Sequence, residues 1–432
     1  RFNTQDHTVE FRNTFTNHGY FSSNGIMYFN PPYDVILTSD GPELSCDGTV
    51  IFGGSGKITT VGAATSFNNL TISNTHPAGY TCNMGWYIDG DLVIGNNAIF
   101  NAGNYTHTIG GNIYSSGTLN GDVSTFVLTS PTAEITVNET TIFNHLTIHS
   151  DATLTPKSDF YVAGNFINNG IIDYANAEGA LIMVGANNAT LGGTTSPTTI
   201  GNITIQKNNE AIVTLATNLS EVGDLYISSG IFNQSTYSIS EQNGAGSLTI
   251  ENGTKLQLGG TNTLPSFTTY DISNESTVEY NGAGTSQSIS RTTAYGNLLI
   301  SNTGTKTAAG SLTVNGNFTL TNGTFVGGNN IHYIRGNWLM NGGSFTNTNT
   351  TIFLNGTGTQ TISSTGAFNH LTINKSTGIL SLFSDITVNG TLTLTNGRLT
   401  TDSYKVIISS SGTVTRTNGH VNGTLQKHYN TG

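Results

Sequence analysis

Residues Phe353 to Leu399 read FLNGTGTQTISSTGAFNHLTINKSTGILSLFSDITVNGTLTLTNGRL and contain, in one pass, both elements from which the rest of the chain is built. The first, FLNGTGTQTISSTGAFNHLTI, is a glycine-punctuated strand, a polar loop and a second strand. Versions of it begin at Phe52, Leu128, Val184 and Tyr280. The second, VNGTLTLTNGRL, joins an x-Gly-x-apolar strand to an Asn-Gly corner and a further apolar residue, and it recurs around Asn13, Gly90, Gly111, Gly164, Gly223, Gly316 and Gly336. Self-similarity of this kind marks a stack of supersecondary units, none of which buries its apolar face alone. The expected fold is all-β: a parallel β-helix, or β-solenoid.

Corresponding glycines set the coil length. Gly90 and Gly111 stand 21 residues apart and Gly316 and Gly336 stand 20 apart, which reads as one coil. The intervals of 53 from Gly111 to Gly164, 59 from Gly164 to Gly223 and 54 from Gly336 to Gly390 read as three. A coil of about 18 to 20 residues follows, each strand pairing in parallel with its counterpart in the next coil.

Residues two apart on a strand share a side, so the alternation assigns an inner face. Val314, Phe318 and Leu320 point inward; Ile334, Trp338 and Met340 take the same register one coil later, and Val388, Leu392 and Leu394 take it again three coils on. These residues are the expected core ladder. The corner that follows reads Asn322-Gly323, Asn396-Gly397, Ser229-Gly230 or Ser116-Gly117, and one copy has Asn97 where the others have glycine. Glycine and then asparagine best accept left-handed backbone, so positive φ is expected at Asn97, Gly230, Gly323 and Gly397. FNN at Phe67, FNH at Phe143, IGN at Ile200, YGN at Tyr295 and FNH at Phe368 mark another corner, by the same exchange of Asn for Gly.

Across 432 residues no composition shift, proline-rich linker or charge run divides the chain. Residues 1–48 are aromatic and irregular, interrupted by Pro31-Pro32, and read as an N-terminal coil or cap; residues 49–432 read as one continuous solenoid of alternating elements. Only 9% of residues are charged, while 53 are Gly and 35% are hydrophobic, including 20 Phe and 17 Tyr. That composition buries a core and leaves a surface rich in hydroxyls and amides. A net charge of −11 with 14 Lys and Arg offers no basic face for nucleic acid. No apolar run is long enough for a membrane span. Arg1 reads as a processed or trimmed start. Cys46 and Cys82 read as two buried thiols, with a single bridge between neighbouring coils as the alternative.

Polysaccharide-degrading β-helix enzymes need carboxylates converging on one groove, or Asp-bound calcium beside an Arg or Lys that takes a proton. Here the 25 acidic residues are scattered singly. The cluster Asp34, Asp40, Glu43 and Asp47 matches no metal-loop spacing and reads as solvated loop. His18-Gly19 takes the place of an Asn-Gly corner. His145 and His370 align with Asn69, Asn202 and Asn297, so a small polar corner residue suffices there. Trp86 and Trp338 fall on the inward side. Thr71, Thr147, Thr204 and Thr372 face outward, but the row is broken at Leu299, so strand propensity explains them better than an ice-binding ladder. Tyr87 and Tyr333 flank inward residues and are the candidate ligand contacts. No catalytic, metal or cofactor residues are assigned.

The combination GTGTQTIS…FNHLTINKSTG…ITVNGTLTLTNGRL, followed by GTVTRTNGHVNGTLQKHYNTG, resembles the repeat region of large secreted, cell-surface proteins of Bacteroidetes, in particular adhesin-like or filament-forming proteins exported by the type IX route. The resemblance covers roughly residues 50 to 432. It implies an extracellular, surface-exposed chain and, beyond VNGTLQK, a sorting domain not found here; it supplies no catalytic residues. The reading at this stage is a non-catalytic structural or adhesive β-solenoid, a stalk, adhesin shaft or filament subunit. Its partners would be copies of itself or further domains end to end. A carbohydrate-binding surface module is the alternative, with surface carbohydrate as its partner, and a degrading enzyme stands third.

Overall fold

The computed structural model describes residues 2–429 apart from 4, 19, 40–42, 63–65, 195–197, 243 and 292, so that Gly19 and Asp40 lie outside the described residues. Among the described residues there is no helix; strands pair in parallel and wind a β-solenoid of about 19 turns with roughly 21 residues per turn, slightly longer than the sequence spacing implied. The chain divides into two compact units, Arg1–Leu225 and Tyr226–Gly432.

In the first unit each turn lays a strand on each of three sheets. Thr49–Phe52, Ile58–Gly62 and Ser66–Phe67 make one turn, and Asn69–Ile72, Tyr80–Thr81 and Tyr87–Ile88 make the next. Val50 pairs with Leu70, Leu70 with Leu92, Leu92 with Ile113 and Ile113 with Ile135, all buried in one row. Each such side chain contributes about 1.5–3 kcal/mol by leaving water. Aromatic rings fill the wider part of the prism: Phe29 stacks on Phe52 at 5.5 Å, Phe52 on Tyr80 at 4.6 Å, and Trp86 on Phe100 at 5.5 Å. Parallel stacking is already present in the segment that the sequence set apart as an irregular cap. Val9–Phe11 pairs with Ile26–Phe29, which pairs with Thr49–Phe52, so these described strands stack in parallel as the later ones do.

The second unit has the same three-sided plan, and here the core ladder is corrected. Phe318 pairs with Trp338, their rings 4.4 Å apart and 10° from parallel, and Trp338 then pairs with Ile362. Val314, Ile334, Leu354, Ile373 and Leu394 form a second row, and Leu392 belongs to a third, with Ile352 and Leu371. Val388 lies on another face, paired with Ile408. Every residue of the ladder, Leu320 and Met340 included, is buried, but Val388, Leu392 and Leu394 do not repeat the register of Val314, Phe318 and Leu320.

The reason is that one motif serves different corners of the prism. The strand entering Gly336, Ile331–Ile334, and the strand leaving Gly390, Thr391–Asn396, belong to one sheet. In the first unit Thr106–Ile109, entering Gly111, and Phe166–Asn168, leaving Gly164, likewise share a sheet. The longer glycine intervals are therefore not whole numbers of turns.

Asn97, Gly230, Gly323 and Gly397 have φ of 60°, 83°, 77° and 88°. Gly117 is not left-handed; a Cβ there would stand 2.4 Å from the carbonyl oxygen of Gly95, so close approach of two coils is what requires glycine. No helix among the described residues is long and apolar enough to cross a membrane.

Candidate functional site

Two sets of polar side chains recur from coil to coil. The first stands beside the x-Gly corners, where the strand ladder lapses and a backbone N–H needs another acceptor. Asn69 Oδ1 accepts the N–H of Asp91 at 2.9 Å, Asp91 Oδ1 accepts that of Asn112 at 2.8 Å, and Asn112 Oδ1 accepts that of Glu134 at 2.8 Å. In the second unit Asn297, Asn317 and Asn337 accept in turn from Asn317, Asn337 and Thr361, each at 2.8 Å. His145 and His370 take the part of asparagine: their Nδ1 atoms accept the N–H of Asn165 at 2.9 Å and of Thr391 at 3.1 Å. An accepting Nδ1 requires a neutral ring with its proton on Nε2, and burial lowers the pKa of His145 in the same sense.

The second set lies seven residues after the aromatic or isoleucine that opens FNH, IGN and YGN. At that place stand Asn74, Ser150, Lys207, Asn302 and Lys375. Asn74 Nδ2 donates to the carbonyls of Gly53 at 2.7 Å and Gly56 at 2.9 Å. The ammonium of Lys375, 2% exposed, donates to the carbonyls of Gly356 at 2.6 Å and Gly358 at 2.7 Å and to Gln360 Oε1 at 2.9 Å. Lys207 donates to the carbonyls of Ala163 and Val184. Lys306, four residues beyond Asn302, donates to Gly282 at 2.8 Å and Thr303 at 2.7 Å. These cations are held by carbonyl oxygens alone or with an amide. Desolvation lowers all three pKa values, that of Lys207 to about 8. Sequence reading did not single out these lysines; for Lys207 and Lys375 the alignment with Asn74 was the available signal, and Lys306 stands outside it.

The two thiols are likewise enclosed. Cys46 and Cys82 are free and buried. The Cys82 thiol donates to the Ala102 carbonyl at 2.7 Å, and desolvation pushes its pKa up to about 12, which keeps it a thiol at neutral pH. Asp34 Oδ1 accepts the N–H of Lys57 at 2.9 Å. Among the described residues no three His, Cys, Asp or Glu side chains gather where an ion could be held.

Trp86 and Trp338 are interior. Tyr87, in the first unit, is 61% exposed between Ser66 and Thr108 on the neighbouring strands. Tyr333, in the second, is half-buried with its ring 5.3 Å from that of Phe353.

An open groove on the outer surface of the first unit lies around Tyr161, which sequence reading did not single out; a separate pocket is lined by the rings of Phe15, Phe29, Phe52, Phe67, Tyr80 and Trp86. Ile142, Tyr161 and Ile182 are register partners on the outer side of one sheet, and Val184 stands beside them, paired with Gln206. Glu139, Thr140, Gln206 and Asn208 rim an open groove of about 360 Å³. Burial first, then the carboxylates of Asp159 and Glu139, raise the pKa of the Tyr161 hydroxyl, so both acids lie within electrostatic reach of it.

No family model, curated protein or solved structure matches the chain.

Proposed function

We propose that this chain is a non-catalytic structural or adhesive β-solenoid of the cell exterior: a surface stalk, adhesin shaft or filament subunit. The observation that carries this reading is where its polar chemistry goes. Asparagines, histidines and lysines that an enzyme would aim into a cleft are spent on backbone groups of the adjoining coil, as in the Asn297–Asn317–Asn337 series and the cage around Lys375. Each coil is thereby fixed to the next by side-chain as well as main-chain bonds, which suits a part whose task is stiffness and presented surface. The resemblance of the repeats to secreted Bacteroidetes proteins of the type IX route supports an extracellular address. Partners in this reading are further copies or further domains stacked end to end, since an open strand edge pairs with any coil of matching register.

Antibodies raised against residues 1–432 and carried on gold particles test the reading on intact cells that make the protein. Label on fibres or a surface layer is the expected result. Label confined to the cell interior overturns it.

A further inference from the structure

The outer row that leads to Tyr161 changes character along one sheet. Thr81, Asn101, Asn120, Ile142, Tyr161 and Ile182 are successive register partners. Up to Asn120 the row is occupied with itself: Asn101 Nδ2 donates to Thr81 Oγ1 at 3.1 Å, and Asn120 Nδ2 donates to Asn101 Oδ1 at 2.7 Å. From Ile142 through Tyr161 to Ile182 the same positions are aliphatic or aromatic before Thr204 follows, and the hydrogen-bonding side chains beside this stretch are Glu139, Thr140, Gln206 and Asn208. Amides of the earlier kind would serve strand pairing equally well, so pairing does not account for the change. Gly185, with φ of 86°, ends the strand carrying Val184.

A half-buried tyrosine beside Ile142 and Val184 offers an apolar surface with a polar tip. Its rim offers two amides, a hydroxyl and a carboxylate, and no lysine or arginine lines the groove. A pyranose ring has the complementary form, with C–H bonds on its face and hydroxyls on its perimeter. Strands about 4.8 Å apart also step at a distance comparable to one sugar residue, so a chain of them can cross several coils. With Glu139 on the rim and Asp159 near Tyr161, anionic glycans and nucleic acid meet repulsion.

We propose that the groove over Tyr161 binds a neutral saccharide chain, one ring lying on Tyr161 and its hydroxyls bonded by Glu139, Gln206 and Asn208. The site stands on residues other than those that carry the structural role, and its failure leaves that role untouched.

The test is calorimetric titration of the full 432-residue chain with cellohexaose, mannohexaose, xylohexaose and, as the anionic comparison, hexagalacturonate. Saturable binding of at least one neutral probe is expected, tighter than that of hexagalacturonate. Tyr161→Ala is expected to weaken it by about tenfold or more, Gln206→Ala to weaken it less, and Tyr87→Ala to leave it unchanged. Should Tyr161→Ala fail to fold, Tyr161→Phe, which keeps the platform, and the double variant Gln206→Ala/Asn208→Ala carry the test: the first binds and the second does not. No binding of any neutral probe, preference for the acidic one, or affinity unmoved by these variants overturns the proposal. So does mass that grows with protein concentration and reverts with Tyr161→Ala, which would make the groove a contact between copies.

Discussion

The ammonium of Lys375 sits 2.9 Å from Oε1 of Gln360, and the same oxygen accepts the backbone N–H of Gly356 at 2.9 Å. Lysine and glutamine together saturate a glycine-rich corner inside the solenoid. Replacing Lys375 with Met removes the donor and leaves the carbonyls of Gly356 and Gly358 buried without it, at about 1–3 kcal/mol for each unsatisfied group. Lys375→Asn is expected to lose less than Lys375→Met, because Asn74 fills the aligned place with an amide. Urea denaturation of the two variants measures the difference; equal losses would mean that the carbonyls do not need the donor.

Stability is expected to fall on acidification before any carboxylate titrates. His107, His145 and His332 have folded pKa values below the ordinary 6.5, by desolvation in each case. A histidine kept neutral in the fold binds more protons once unfolded, so the histidine contribution is fully present above about pH 6.5 and is lost as pH drops through and below it. His145→Asn retains the acceptor for Asn165 and removes one titrating group. Its urea midpoint should match the parent at pH 8 and exceed it at pH 5.5, and a parallel decline would refute the assignment.

Interior and exterior positions should separate cleanly. Phe318→Ala and Trp338→Ala each empty a stacked ring pair and are expected to cost about 3–5 kcal/mol. Leu392→Ala, in its own buried row, should cost about 2–5 kcal/mol. Thr372, outward between Phe353 and Thr393, should change stability by less than about 0.5 kcal/mol as alanine. Guanidinium melts of the four variants check the ordering.

Two left-handed glycines are expected to answer differently to asparagine. Gly253, φ 76°, has nothing within 4 Å of a built Cβ, so Gly253→Asn should be mild and Gly253→Val costly. Gly323, φ 77°, would set a Cβ 2.5 Å from the Asn302 carbonyl oxygen, so either substitution there should be costly. Thermal melts of the four variants show whether close approach adds to backbone conformation.

Fold class and the inward side were legible because alternation and recurrence are local: Phe318 and Leu320 declare themselves two residues apart. Register over longer intervals was not, since VNGNFTL and VNGTLTL look alike although one turns the chain toward Phe318's sheet and the other toward Leu392's. Crowding at Gly117 and Gly323 depends on the coil beneath, which spacing alone does not place. The Tyr161 groove escaped notice for a related reason: Ile142, Tyr161 and Ile182 become neighbours only once pairing is known. The buried lysines were not legible because charge on average faces water, and nothing local in the sequence says that carbonyl oxygens take the part of water here.

That one corner motif fits more than one edge of the prism bears on how such a chain can grow. A duplicated segment need not measure a whole turn to be tolerated; one that begins and ends at corners re-enters the stack along a different edge, its strands still parallel and its glycine still meeting the coil below. Gene length can thus drift in fractions of a turn, and the irregular intervals from Gly111 to Gly164 and Gly223 are what such a history would leave behind.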